Sequence, residues 1–433
     1  MARGLPMRPG LFASATFRTE FRETDMADRL NRREFGLGAG ATGALVMTGG
    51  RCRAQAQVPP LKLGVLAPRS GFEALIGQGC QRGFEVAVPL LRDMGYAIEL
   101  MSADTESKPD VARVQAEKLI AEGAHMLCGA WDSGQTAAVA QLSEQHGVPL
   151  VINIAADPKI TEQGYKFVFR NFPNAPMLMT GALSLLKDLF EVTGTTPQTA
   201  VLMAVNDTFG QAAQNAINVL LPKLGMPFRL LDTITYDPQA KDLSVEVAKA
   251  KAARADLHIG VTRLNDGILM VREMVKQRYE PMGIVSPGSP GFYERPLIKA
   301  LGKYAEYCFS NNPWMDPNQA LTKTIDAAFA KTFPDDPFDI NVGFSFEAAL
   351  IAADAYKRAG STNAQALVEA LRATDIANRV MIGGPIRFDE KGQNVGNRLA
   401  SLQIRNGKPT VVLPPTNAEA KPVFPMPGWS QRM

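Results

Sequence analysis

At 433 residues the chain exceeds the ~250–300 residues at which a single hydrophobic core stops growing, so two domains are expected. Apolar content of 46% and charged content of 21% fit a globular chain and exclude one disordered throughout. The formal charge of +3 arises at the N-terminus: residues 1–56 hold nine arginines, no lysine and five acids, leaving 37 basic against 38 acidic residues beyond them, a balance without a basic stripe that argues against nucleic-acid binding.

The N-terminal segment reads as an export address. In "RLNRREFGLGAGATGALVMTGGRCRAQAQ" the pair Arg32 and Arg33 precedes a mildly apolar Gly/Ala-rich run. Ala54-Gln55-Ala56 is a small-x-small cleavage site, which starts the mature chain at Gln57. The run is too short and glycine-rich to span a ~30 Å bilayer core, so no membrane insertion of the mature chain is expected. The pattern resembles a bacterial twin-arginine signal, which implies a periplasmic protein. Met26 would open a signal of ordinary length. Cys80, Cys128 and Cys308 follow the cleavage point, and an odd count leaves at least one thiol free or permits an intermolecular bridge.

Strands and helices then alternate. Buried-strand runs occur at "LKLGVLAP", "AIELMSAD", "AHMLCGA" and "PLVINIAA". Between them, "KPDVARVQAEKLIAEG" places Ala112, Ala116, Leu119 and Ile120 on one helical face, and Gly123 ends it. This alternation predicts an α/β fold with parallel sheets covered on both faces. "KFVFRNFPNAP" interrupts the series, and a second βα series runs to "MGIVSPG". A helical region follows from Asn318 to Thr374, then extended pieces with a hairpin turn at "RNGK". The proline-rich tail from Pro414 is expected to wrap the surface. Two such series suggest two lobes with a ligand between the carboxyl ends of their strands.

Catalytic equipment is sparse. His125, His146 and His258 are far apart, with no ligand-like spacing, and no metal site or cofactor is expected. No GxSxG elbow, GK[ST] phosphate loop or GxGxxG after a strand occurs in the mature chain. The strand ends instead carry small and polar residues, as in "GAWDSGQT", "INIAADP", "VNDTFG", "GVTRLNDG" and "SPGSPGFY". Unpaired amides at a helix N-terminus favour an anion. Ser133 offers a hydroxyl there, and Gly134 allows close approach. Ser133 reads equally as a helix cap and as a carboxylate ligand, and one residue can be both. Three charge-assisted bonds at ~1.5–3 kcal/mol each, with apolar burial, reach micromolar affinity.

The stretches "LKLGVLAPRSGFEALIGQGCQRGFEVAV", "KPDVARVQAEKLIAEGAHMLCGAWDSG", "HGVPLVINIAADPKITEQGYKFVFRNFP", "AVLMAVNDTFGQ" and "GPIRFDEKGQN", in this order, resemble the Leu/Ile/Val-binding class of ABC transporter substrate-binding proteins. The resemblance implies a two-lobe type I periplasmic binding protein fold with three hinge crossovers, near Arg170–Pro176, Asn311–Pro313 and Gly384–Glu390. It places lobe 1 at 57–172 and 313–384, and lobe 2 at 173–312 and 385–433. It implies a solute receptor, not an enzyme, that presents a small carboxylate to an inner-membrane ABC permease. Ser133 matches the carboxylate-binding serine, flanked by Gly134 and Thr136, with Trp131 in the same loop. Ala155 and Ala156 fall in the next binding loop, without the family's threonine. Phe209 stands where a tyrosine covers the ligand. Thr262 and Arg263 fall in the second-lobe loop, and Ile76 where a bulky apolar residue overlies the ligand. Gly288 stands where amino acid binders carry an acid for the ligand ammonium. With Arg263 and Phe209, it implies a carboxylate lacking an α-amine, with Asp132, Asp157 or Asp207 as the alternative partners for an ammonium. A sensory binding protein on the same fold and a twin-arginine-exported enzyme are the alternatives.

Overall fold

The computed structural model describes residues 59–316 and 318–432; the segment read as an export signal lies outside them. Strands β1 (Leu61–Ala67), β2 (Ile98–Asp104), β3 (Met126–Cys128), β4 (Leu150–Ile152) and β5 (Val168–Arg170) form a parallel sheet in the order β2-β1-β3-β4-β5. Helices α1 (Ala74–Asp93), α2 (Pro109–Ala121) and α3 (Ser133–His146) connect its first four strands. β1 is buried along almost its whole length because both its faces are covered, which is why it reads as a continuous apolar run.

The second sheet is built from β6 (Thr199–Val205), β7 (Arg229–Tyr236), β8 (Leu257–Val261), β9 (Gly283–Pro287) and β10 (Phe309–Pro313), all parallel. Helices α4 (Ala175–Thr193), α5 (Thr208–Lys223), α6 (Ser244–Ala252), α7 (Leu264–Lys276) and α8 (Arg295–Leu301) accompany it. The hairpin β11 (Leu399–Arg405) and β12 (Lys408–Leu413) adds antiparallel to β10. Asn406 and Gly407 form its turn with positive φ, as "RNGK" predicts. The fold is thus α/β with two parallel-dominated lobes.

Helices α9 (Ala320–Thr332), α10 (Ile340–Ala359) and α11 (Ala364–Arg372) return to the first sheet. α10 is buried nearly all round and packs on α1, β1, β3 and β4. A Cβ on Gly83 of α1 would lie 2.6 Å from the Val342 carbonyl, so glycine there lets the two helices close up.

The chain passes between the sheets after β5, after β10 and before β11. These passages share one buried polar network. Arg379 pairs with Glu347 at 2.9 Å and donates to Asn397 at 2.8 Å. Glu347 also accepts from Asn171 at 2.8 Å, and the Asn171 carbonyl accepts from Asn394 and Asn397. Every partner is buried, so the connections are fixed by satisfied hydrogen bonds.

The tail departs from the sequence expectation. Phe424, Met426 and Trp429 are buried, with the Phe424 ring against Phe190 and Phe309, and Trp429 Nε1 donating to the Tyr279 carbonyl at 2.9 Å. Its prolines set an extended course, but its aromatic residues complete the core of the second lobe. Cys80, Cys128 and Cys308 are all buried free thiols.

Candidate functional site

The loops at the carboxyl ends of both sheets face one another. On the first side, the chain leaves β3 through Trp131, held at φ 72°, and enters α3 at Ser133. Asp132 caps this helix, its Oδ1 accepting from the amides of Gly134 at 2.8 Å and Gln135 at 3.1 Å. Asp132 rather than Ser133 therefore serves as the cap. Ser133 Oγ accepts from the amides of Ala156 at 3.2 Å and Asp157 at 3.3 Å, in the loop after β4. Two accepted bonds leave the hydroxyl proton free to donate.

On the second side, Asp207 caps α5 through the Gly210 amide at 2.8 Å, and Phe209 follows in the first turn. Arg263 precedes α7; its amide donates to Asp266, which also accepts from the Tyr236 hydroxyl at 2.6 Å. After β9, Gly288 adopts φ 61°, and a Cβ there would lie 2.8 Å from Met179 Cε. Both features keep this position bare of a side chain.

Arg263 spans the cleft. Its guanidinium donates to Asp207 from Nε at 3.0 Å and Nη2 at 2.6 Å, and from Nη2 to Asp132 on the opposite side at 2.6 Å. Glu73 lies 3.5 Å from Nε. The Trp131 and Phe209 rings flank it, with centroids 5.1 and 5.2 Å from Cζ. Burial pulls this guanidinium down, but Asp207, Asp132 and Glu73 outweigh it and hold it above its ordinary value. Burial, then the Asp132 charge, pushes the Glu73 carboxyl up to about 8 despite Arg263. Among the described residues Nη1 makes no hydrogen bond.

Beside Arg263 lies a cavity of about 30 Å³, lined by Ser133, Ala155, Ala156, Trp131, Phe209 and Gly288, and closed off by Ile154, Phe172, Tyr293, Asn312 and Asn341 among others. That is room for little more than one or two waters, so the two sides are in contact across it. Its walls combine aromatic and aliphatic surface with a few neutral donors, a serine proton and one guanidinium edge.

A family profile described as "Periplasmic binding protein" matches residues 60–409. The chain belongs to the periplasmic binding protein family. It is 26% identical over 371 residues to Leu/Ile/Val-binding protein homolog 7 of Brucella suis, covering 82% of this chain and 91% of that one. A leucine-binding protein of Thermotoga maritima superposes with a TM-score of 0.72 at 20% identity, covering 81% of this chain and 97% of that one. A solute-binding protein of an ABC transporter from R. palustris, in complex with benzoate, gives 0.70 at 19%, covering 82% and 95%. At these identities the structures establish the type I periplasmic binding fold.

Within this periplasmic binding protein, seven of the ten sequence-selected residues line one cavity: Trp131, Ser133, Ala155, Ala156, Phe209, Arg263 and Gly288. Three do not line it. Gly134 faces α5, its Cβ position 3.5 Å from Thr208 Oγ1. Thr262 is buried, its hydroxyl 3.5 Å from the Pro290 carbonyl. Ile76 lines the outer mouth of the cleft beside Glu73. Tyr293, Asn312 and Asn341 escaped the sequence reading. Tyr293 ends the strand-end stretch "SPGSPGFY", Asn312 lies in the expected crossover Asn311–Pro313, and Asn341 stands two residues after the helix cap Asp339 in "FDIN", but none was singled out by type. His258 is a core residue: it sits 3.2 Å from Met270 Sδ, and burial lowers it to about 4. No cluster of potential metal ligands occurs among the described residues.

Proposed function

We propose that the protein is the extracytoplasmic solute receptor of an ABC importer, binding a small carboxylate without an α-amine between its lobes and presenting it to a permease. The observation that carries this reading is Arg263 placed inside the cleft. Asp132 and Asp207 are both engaged with its guanidinium, burial favours the protonated form of Glu73, and Gly288 has no side chain. A ligand ammonium would meet a cation and no free carboxylate, which is costly in a buried site. A ligand carboxylate would meet the Ser133 proton and Arg263 Nη1. The apolar walls suit an aromatic or aliphatic body, in line with the benzoate complex of the R. palustris relative.

In this reading the lobes, 57–172 with 313–384 and 173–312 with 385–433, part about the three passages to admit the ligand and re-close on it. Export through the segment containing Arg32 and Arg33 delivers the chain to the periplasm; no described helix is long and apolar enough to cross a membrane. Isothermal calorimetry with benzoate, 4-hydroxybenzoate and 4-methylpentanoate against leucine, isoleucine and valine tests the ligand class. At least one acid is expected to bind at micromolar Kd, about −8 kcal/mol, and the amino acids at least 100-fold more weakly. Tight leucine binding with no response to any acid overturns it.

A further inference from the structure

Behind the loop that holds Ser133 lies a second arginine. Arg170, at the end of β5, is fully buried, and among the described residues no carboxylate lies within ion-pair distance of it. All its partners are neutral acceptors. Nε donates to Gln393 Oε1 at 2.7 Å, Nη2 to Thr161 Oγ1 at 2.7 Å, and Nη1 to the carbonyls of Ala155 at 3.3 Å and Asp157 at 2.6 Å. The Asp157 carboxylate accepts from the Lys159 amide at 3.0 Å, and the charges of Asp157, Glu162 and Asp389 act on the guanidinium from beyond contact distance. Burial lowers the guanidinium to about 10, which leaves it a cation at neutral pH.

The donors run in one direction. In a trans peptide the carbonyl and amide point oppositely. The Ala155 carbonyl faces Arg170, so the amide of Ala156 in the same peptide faces away, and it donates to Ser133 Oγ. With the Asp157 amide donating as well, Ser133 must donate its own proton onward, and it lines the cavity. Each bond polarises the next in the same sense.

We propose that Arg170 is a positioning residue that makes Ser133 a polarised donor and supplies the positive potential by which the cleft selects a carboxylate. The proposal rests on the carboxylate reading above. Its test needs no bound ligand, so the two fail separately.

The probe is a thiol at the relay's end. In Ser133→Cys, the pH midpoint of iodoacetamide alkylation reports the potential at that atom. It is expected below the ordinary thiol value of about 8.5. Adding Arg170→Gln is expected to raise the midpoint by about one pH unit or more. Thr161→Asp in the same background sets a carboxylate on Arg170 Nη2 and neutralises it in place, so it gives the same rise should Arg170→Gln not fold. A midpoint unmoved by removing or neutralising the charge overturns the proposal, because a purely structural arginine alters stability and not the titration. A low midpoint that Arg170 controls, in a protein that binds none of the acids, supports the relay and overturns the ligand class instead.

Discussion

Arg263→Met is expected to weaken carboxylate binding by about two orders of magnitude while changing the unfolding temperature little. Arg263 ties Asp207 on one lobe to Asp132 on the other, with both carboxylates mostly buried. Removing one partner of a buried ion pair costs ~3–5 kcal/mol, because the remaining charges stay desolvated. Here the cost falls on the closed arrangement, since opening the cleft returns both aspartates to water. At the lower end of that range the loss is about 150-fold in affinity. Calorimetry with the best-binding acid reads the affinity, and small-angle scattering at saturating acid reads incomplete closure of the variant as a larger radius of gyration than the ligand-bound wild type. Arg263→Lys keeps the charge but loses the planar fork that reaches both aspartates, and an intermediate loss is expected. Unchanged affinity in Arg263→Met would show that the guanidinium neither holds the lobes nor contacts the ligand.

Affinity is also expected to fall as pH rises from 6 to 8. Of the carboxyls buried where the lobes meet, Glu73 and Glu294 are pushed furthest into this range. Glu73 faces Arg263, Asp132, Asp207 and Gln135, and burial with the Asp132 charge pushes it from 4.5 up to about 8. Glu294, after β9, faces Asp339 at the start of α10 and Asp266; burial, then Asp339, pushes it up to about 8. In an opened cleft both return to water and to the ordinary carboxyl range. The closed form therefore binds more protons between pH 4.5 and 8. Closure is favoured at the acid end of that window and loses ground as pH rises, by up to ~tenfold per pH unit for each fully linked group. A ligand carboxylate is ionised throughout pH 6–8, so it adds no slope there. Calorimetry in buffers of different ionisation enthalpy should show uptake of between one and two protons on binding at pH 7, and Glu73→Gln should remove about one. Binding without proton uptake would mean that neither carboxyl is desolvated by closure.

Much of the fold is legible in the sequence because it is local. The β1 and β6 runs are apolar throughout, since both faces of a parallel strand are covered, and the helices between them carry their own caps and stops. The return of α10 to the first sheet is not local. It depends on Gly83 meeting the Val342 carbonyl, and nothing near either residue announces that contact. The tail misleads for the same reason: prolines mark an irregular backbone but do not reveal where Phe424 and Trp429 pack.

The cleft follows the same division. Ser133, Ala155 and Phe209 stand out because each follows a strand end, where ligands collect in α/β sheets. Arg263 stands out by type, but its cross-cleft partners do not, because nothing local in the sequence brings Asp132 and Asp207 to one guanidinium. Each in fact uses one oxygen for its helix and the other for Arg263. Arg170 reads only as the start of the first crossover; the fold shows its side chain donating to the binding loop.

A crystal structure of the protein with the tightest-binding acid measures the central claim directly. The expected density places one carboxylate oxygen within hydrogen-bond distance of Ser133 Oγ and the other on Arg263 Nη1, with the ligand body between Trp131, Phe209 and Phe172. A ligand bound elsewhere, or one in the cleft with its carboxylate turned away from Ser133, would contradict the account.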